Sequence, residues 1–148
     1  MDWAYEIWDA LKQDLTHPDN HRRAIAAQLL CNLAKSDPEA RILDVFPALL
    51  EVTKDKKFVT ARHCLQALWK IGLAGPKQKE MLLKGLAERF RNCTQEKNWT
   101  LIRFDIIQGL RKLYDRDADE ALRQLALELI ETEEDAKYRK KYASVWKR

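Results

Sequence analysis

Three heptapeptides share one pattern: AQLLCNL at residues 27–33, LQALWKI at residues 65–71 and IQGLRKL at residues 107–113. Each has glutamine in the second place and apolar residues in the first, fourth and seventh places. Residues three or four apart lie on one face of an α-helix, so each heptapeptide predicts a helix with an apolar face. The copies begin 38 and then 42 residues apart, which indicates that a whole structural unit is repeated.

A second helical pattern lies between these heptapeptides. Apolar residues at positions i, i+1 and i+4 recur at offsets of 38, 37 and 43 residues, starting at Ile7, Val45, Leu82 and Leu125. A fourth, degenerate copy of the heptapeptide, YASVWKR at residues 142–148, lacks the glutamine. The chain therefore predicts two helix types in alternation. Its four glycines and four prolines are too few for the many turns of an all-β fold.

The predicted fold class is all-α. Eight helices are expected at about 3–15, 19–35, 38–53, 57–73, 76–92, 97–114, 118–131 and 135–147. They form helical hairpins at about 3–35, 38–73, 76–114 and 117–148 of a single domain spanning residues 1–148. The apolar face of each hairpin is too broad to be hidden by one hairpin alone, so neighbouring hairpins must stack.

Several residues mark the expected helix ends. Asp37 is positioned to cap the third helix, and Asp117 with Glu120 has the spacing of a capping box. Three prolines are predicted in the first turn of a helix, where a missing N–H is tolerated: Pro18, Pro38 and Pro76.

The segment ILDVFPALLEVTKDKKFVTARHCLQALWKIGLAG, residues 42–75, resembles a HEAT repeat. Its first helix contains an internal proline, Pro47, and an aspartate, Asp55, follows near the helix end. The second helix departs from the usual HEAT pattern, because Val59 is followed by Thr60 and the arginine comes only at Arg62. The resemblance implies a HEAT/armadillo-like solenoid: a short right-handed αα-superhelix of about four hairpins, with the second helices lining its concave face.

The glutamines and their neighbours form the candidate binding surface on those second helices. An amide column flanked by cations can recognise peptide backbone or an acidic ligand. A structural role is the alternative, because glutamines at the edge of a core can join neighbouring repeats by hydrogen bonds. The candidate partner-binding residues are Gln28, Asn32, Arg62, Gln66, Trp69, Lys70, Gln108, Arg111 and Lys112.

Five tryptophans and a basic last helix leave further alternatives open. Trp3 and Trp8 are expected to close one end of the stack and Trp146 the other, whereas Trp69 and Trp99 suit either the core or a binding groove. The last helix, AKYRKKYASVWKR at residues 136–148, contains six cations and no acid. It is either a polar terminal cap or a contact for nucleic acid, an acidic protein or anionic lipid.

The sequence contains no pattern typical of an enzyme or of a metalloprotein. The three cysteines have no metal or disulfide spacing and are expected to be free and buried. The three histidines do not form a metal-binding pair, and no phosphate loop or nucleophile motif occurs. No apolar run reaches membrane-spanning length, and the acidic start MDWAYEIWDALKQDL does not resemble a signal peptide. A cytoplasmic location is therefore expected.

The expected function is a non-enzymatic interaction module, without a cofactor or metal, that binds a protein or peptide along its concave face. The alternative is a DNA-binding protein related to the HEAT-like alkylpurine DNA glycosylases. That family's Trp-x-x-x-Asp spacing is missing, because Leu73 lies four places after Trp69 and Arg103 four places after Trp99. The chain is expected to be a monomer or a weak homo-oligomer.

Overall fold

The computed structural model describes residues 2–147, with side chains from residue 5 onward. This part of the chain is all-α, with no strand. The eight α-helices are α1 (Asp2–Asp14), α2 (Asn20–Leu33), α3 (Ile42–Val52), α4 (Phe58–Ala67), α5 (Pro76–Asn92), α6 (Trp99–Arg116), α7 (Glu120–Glu131) and α8 (Ala136–Trp146). Two 3-10 segments, Ala34–Ser36 and Leu68–Leu73, continue α2 and α4. The predicted number and order of helices are confirmed.

The helices form two sets, one of even-numbered and one of odd-numbered helices. The even-numbered helices touch in order, α2 to α4, α4 to α6 and α6 to α8, and α3, α5 and α7 touch in the same way. Each odd-numbered helix also contacts the even-numbered helix that follows it. The core lies between the two sets.

The heptapeptide pattern places the predicted residues in the core. The first and fourth places are occupied by Ala27, Leu65, Ile107, Leu30, Leu68 and Leu110, which are at most 2% exposed. Burying one leucine or isoleucine side chain contributes about 1.5–3 kcal/mol, so these positions together stabilise the contacts among α2, α4 and α6. Trp8 and Trp146 are buried at opposite ends of the helix order, as predicted. The side chain of Trp3 lies outside the described residues.

The predicted start of the third helix is wrong. Residues 38–41 form a turn in which Ala40 has a left-handed φ of 53°, and α3 begins only at Ile42. Asp37 closes this turn, because its carboxylate accepts hydrogen bonds from the Ile42 N–H and from the Tyr5 hydroxyl of α1, both at 2.8 Å. The bond to α1 is a tertiary contact, which the local proline signal could not indicate.

Two other helix-end predictions need correction. Pro18 precedes α2 rather than lying in its first turn, and Asp19 caps this helix through the His21 N–H. The predicted capping box of Asp117 does not form, because Asp119 caps α7 instead. Only Pro76 of the three prolines occupies the first turn of a helix.

Candidate interaction surface

The nine candidate residues lie on the outward sides of α2, of α4 with its 3-10 continuation, and of α6. We call the outward sides of these helices and of α8 the even-helix surface. Asn32, Gln66 and Lys112 are exposed. The other six are partly buried: Gln28, Arg62, Trp69, Lys70, Gln108 and Arg111. Because α2, α4 and α6 are neighbours in that order, the helices that bear the three heptapeptides lie side by side.

The glutamines do not form a hydrogen-bonded ladder with one another. Gln28 Nε2 lies 3.3 Å from His63 Nδ1, which links α2 to α4. Gln66 and Gln108 have no side-chain hydrogen bond to another residue within the described part of the chain. The structural role, in which a glutamine joins neighbouring repeats by a hydrogen bond, therefore applies to Gln28. The amides of Gln66 and Gln108 are available to a ligand.

Arg62 is held within the fold. Its Nε and Nη2 donate two parallel hydrogen bonds, each 2.9 Å long, to the carboxylate of Asp105 on α6. The Asp105 side chain is completely buried, while that of Arg62 is 35% exposed. This bidentate pair fixes α4 against α6, so Arg62 is not free to hold a partner.

Arg111 is also largely engaged. Its Nε donates to Asp115 at 2.9 Å, and its guanidinium lies over the rings of Trp146 and Tyr114, at 5.3 and 5.6 Å from their centroids. The contact with Trp146 joins α6 to α8. Lys112, the next residue, is exposed and has no ion pair within residues 2–147.

Two adjoining clefts mark the even-helix surface. The aliphatic cleft, about 280 Å³, is lined by Ile25, Gln28, Leu29, Asn32, His63, Gln66, Ala67 and Lys70. The cationic cleft, about 240 Å³, is lined by Cys31, Asn32, Lys35, Trp69, Lys70, Leu73 and Arg116. They share Asn32 and Lys70, whose side chains are joined by a 2.7 Å hydrogen bond. Within the described residues, no acidic side chain lines either cleft.

Sequence reasoning missed several of these lining residues, among them Ile25, Leu29, Lys35, His63, Leu73 and Arg116. Ile25 and Leu29 are 53% and 41% exposed. They are four residues apart on α2 and therefore form a second apolar stripe beside the buried one. This spacing could have indicated an outward apolar patch, but periodicity alone does not distinguish it from a broad core face.

The helices differ sharply in charge. The even-numbered helices and their 3-10 continuations contain thirteen cations and two acids, whereas the odd-numbered helices contain seven cations and eleven acids. Both acids of the even set, Asp105 and Asp115, are paired with arginines. The sequence alone assigned the basic character to the last helix. In the folded chain, nine of the thirteen cations lie on α2, α4, α6 and the 3-10 continuations.

Helix α8 has both a packing side and a cationic side. Tyr142 is fully buried and donates from its hydroxyl to the Thr100 carbonyl at 3.2 Å. Trp146 donates from Nε1 to the Ile107 carbonyl, also at 3.2 Å. Lys137 and Lys140 on the same helix are exposed. The packing side accounts for the cap role, and the outer side extends the positive even-helix surface.

Two larger clefts are less suited to a charged ligand. One, about 680 Å³, lies where the α4–α5 and α6–α7 connections meet. Its Lys79 is neutralised by Asp117 at 2.8 Å and Asp119 at 2.7 Å. The other, about 580 Å³, lies between α3 and α5, and its Arg89 pairs with Glu96 and donates to the Thr53 carbonyl.

The three cysteines are free and buried, as predicted. Burial raises the pKa of the Cys31 thiol to about 12 and also raises the pKa values of Cys64 and Cys93. Because the thiolate is the reactive form, these side chains stay protonated and unreactive at neutral pH. They behave as small core residues.

Because the cysteine thiols are buried, we expect the protein to lose stability at alkaline pH. In the unfolded chain a thiol ionises near pH 9, whereas folded Cys31 holds its proton up to about pH 12. The unfolded state then binds fewer protons, so the free energy of unfolding falls as pH rises, by about 1.4 kcal/mol per pH unit for each such group. Urea unfolding of the reduced protein at pH 8 and about pH 10.5 measures this slope.

The matched variant for that experiment is C31A/C64A. It should have a shallower pH slope than the parent chain, whatever its stability at pH 8. Tyrosines and lysines titrate equally in both proteins, so the difference between the slopes isolates the thiols. Equal slopes would contradict the raised pKa values.

No protein-family model matches the chain, and no curated protein is significantly similar to it. Among the residues described, no helix is both long and apolar enough to cross a membrane. The same residues include no cluster of three or more His, Cys, Asp or Glu side chains that could hold a metal ion.

Proposed function

We propose that the chain is a HEAT-like helical-repeat module, a short right-handed superhelix of about four hairpins with the even-numbered helices on its concave face. The ordered contacts within the even set and within α3, α5 and α7 support this. A second support is Asp55, the aspartate of the HEAT-like segment. Arg23 of α2 donates to both its oxygens, at 2.7 and 3.0 Å, which joins the first hairpin to the second.

The proposed function is non-enzymatic binding of a protein segment along the even-helix surface. The observation that supports it best is the pair of adjoining clefts, in which exposed aliphatic side chains lie beside amides and unpaired cations. Ile25 and Leu29 offer apolar contact, Gln66 can bond peptide N–H and C=O groups, and Lys70 attracts negative charge. This mixture suits an acidic peptide with apolar side chains.

Duplex DNA fits the clefts less well. Phosphate contacts require cations and polar groups, but they make no use of the two exposed aliphatic side chains of the aliphatic cleft. The only acids on the even-numbered helices, Asp105 and Asp115, are both paired with arginine. A glycosylase-like reaction would therefore have no free carboxylate from these helices.

Selection from a displayed random-peptide library tests the proposal and does not require the natural partner. Selected peptides should be acidic and should bind K70E/K112E at least about tenfold more weakly than the parent chain, since both substitutions reverse an attractive charge. The matched control is K77E/K84E on α5, which makes the same charge change at exposed positions outside both clefts. It should retain binding to within about twofold.

Amide chemical shifts recorded with a selected peptide locate the binding surface. Perturbations on α2 and α4 support the proposal. If both double variants lose binding equally, attraction is due to net charge alone and the proposed surface is wrong. Thermal unfolding of each variant ensures that lost binding does not reflect lost structure.

Nucleic acid is a second candidate, favoured by the exposed cations of α8. Binding to phosphates would weaken steeply with salt, by about a thousandfold or more between 50 and 200 mM for several contacts. A titration with single-stranded and duplex DNA at these two concentrations separates the candidates. Weak binding with a shallow salt slope would eliminate this one.

Location and assembly complete the proposal. We propose a cytoplasmic protein that is a monomer or a weak homo-oligomer. Sedimentation velocity over a range of protein concentrations tests the assembly state, and a stable oligomer at the lowest concentration would contradict it.

A further inference from the structure

The cationic cleft contains three positive side chains without an acidic partner. Lys35, Lys70 and Arg116 all line it, and none forms an ion pair with an acid in the described part of the chain. Two other cations of the even-helix surface, Arg62 and Arg111, differ in this respect, because they are bound to aspartates. Lys35, Lys70 and Arg116 lie together in one small concavity.

The three side chains come from separate elements of the fold. Lys35 is in the 3-10 turn after α2, Lys70 is in the 3-10 continuation of α4, and Arg116 ends α6. A cation in the last turn of a helix complements the negative end of its own dipole. That role does not require three such side chains to face one cleft of about 240 Å³.

Two contacts hold parts of the cleft in position. Lys70 Nζ donates to Asn32 Oδ1 at 2.7 Å, which uses one of its three N–H groups. The Arg116 guanidinium lies over the Trp69 ring, 5.9 Å from its centroid. Stacking on an aromatic face restrains an arginine while leaving its N–H groups able to donate. An anion entering the cleft would therefore meet donors that are partly ordered in advance.

We propose that the cationic cleft binds the phosphate of a phosphorylated side chain in the protein segment held by the even-helix surface. This inference rests on the proposed function. Apolar residues of the same segment would contact Ile25 and Leu29 in the adjoining aliphatic cleft, because the two clefts share Asn32 and Lys70.

Phosphate fits the cleft better than a carboxylate does. A phosphorylated side chain has a charge of about −1.5 to −2 at neutral pH and three acceptor oxygens, whereas a carboxylate has one charge and two oxygens. Three cations that form no ion pair within the described residues match the larger charge. The cleft is smaller than the roughly 300–1,000 Å³ typical of whole small-molecule sites, so it suits one side-chain head group.

The first test uses inorganic phosphate and NMR. Phosphate should shift the Trp69 indole N–H and the Arg116 guanidinium N–H signals in a saturable manner. Sodium chloride at the same ionic strength should not. The shifts should be lost in K70Q/R116Q and retained in K77Q/R91Q, which neutralises one lysine and one arginine at exposed positions of α5. Shifts no larger than those from chloride would mean that the cations serve only the helix ends, and would overturn the proposal.

The second test compares peptides selected on the even-helix surface in three forms, with phosphoserine, serine or glutamate at one position. The phosphorylated form should bind at least about tenfold more tightly than the other two. In K70Q/R116Q this preference should fall below about threefold. Equal binding of the three forms would overturn the phosphate site while leaving the proposed function intact.

A competition experiment separates the peptide from nucleic acid. Single-stranded DNA should displace the phosphopeptide only at concentrations well above the peptide's own dissociation constant. Displacement by DNA at or below that concentration would mean that the cleft binds nucleic-acid phosphates, which overturns the proposal. If no peptide of any form binds, the proposed function fails together with this inference.

Discussion

Replacing Arg62 with alanine should lower the free energy of unfolding by about 3–5 kcal/mol, because it leaves a buried carboxylate without its partner. The Asp105 side chain is fully buried and receives both of its side-chain hydrogen bonds from Arg62. Urea unfolding at pH 7 measures the loss. The matched control is Arg22→Ala, whose exposed pair with Asp14 should contribute no more than about 1 kcal/mol.

The two partners of this pair should respond unequally. Arg62 is 35% exposed, so in Asp105→Ala the remaining guanidinium can turn to water and the loss should be smaller. The double variant R62L/D105L removes both charges and should recover much of the stability lost in Arg62→Ala. A loss in Arg62→Ala no greater than in Arg22→Ala would mean that water reaches the Asp105 carboxylate, contrary to its burial.

The role of Arg62 illustrates what the sequence could and could not predict. Periodicity places Arg62 correctly in the column beside Gln66, on the outward side of α4. Periodicity does not indicate that Asp105 of the neighbouring helix points inward beneath Arg62. Asp105 interrupts an apolar run on α6, and this pattern does not show which side chain pairs with its carboxylate. Pairing between helices depends on their axial offset and rotation, which no spacing within one helix determines.

The core could be predicted because its apolar residues recur with the period of an α-helix. The first and fourth places of each heptapeptide had to face the neighbouring helices, and all are buried. The clefts could not be predicted in the same way. Ile25 and Lys35 lie outside the heptapeptide, and Arg116 is three residues beyond its third copy. Lys35 and Arg116 meet in the cationic cleft only because the ends of α2, α4 and α6 converge there.

Helix ends were predictable only where the signal is local. Pro76 begins α5 as its missing N–H suggests. By contrast, two aspartates two residues apart precede α7: Asp119 caps this helix, whereas Asp117 is the C-cap residue of α6. Lys79 of α5 binds both of them. The hydrogen bond from Lys79 is also the main cause of the lowered pKa of Asp119. Local spacing does not indicate this contact between α5 and the α6–α7 connection.

Replacing Tyr142 with alanine should lower the free energy of unfolding by about 3–5 kcal/mol, the range expected for removing a fully buried aromatic ring. The ring is 0% exposed and packs edge-on against Phe90, with 6.1 Å between centroids. Tyr142→Phe keeps the ring and loses only the hydrogen bond to the Thr100 carbonyl, so it should cost about 0.5–1.5 kcal/mol. Thermal or urea unfolding ranks the variants.

Lys140→Ala provides the control on the same helix, because Lys140 is exposed and its replacement should change stability by no more than about 0.5 kcal/mol. If Tyr142→Ala loses the most stability and Lys140→Ala the least, α8 stabilises the chain through its inner side, whatever its outer side binds. The two sides can then be tested separately: charge reversal at Lys137 and Lys140 tests whether the outer side binds a partner, without unfolding the protein. A stable Tyr142→Ala variant would mean that α8 is dispensable for folding, and its cations would become the stronger reason for its presence.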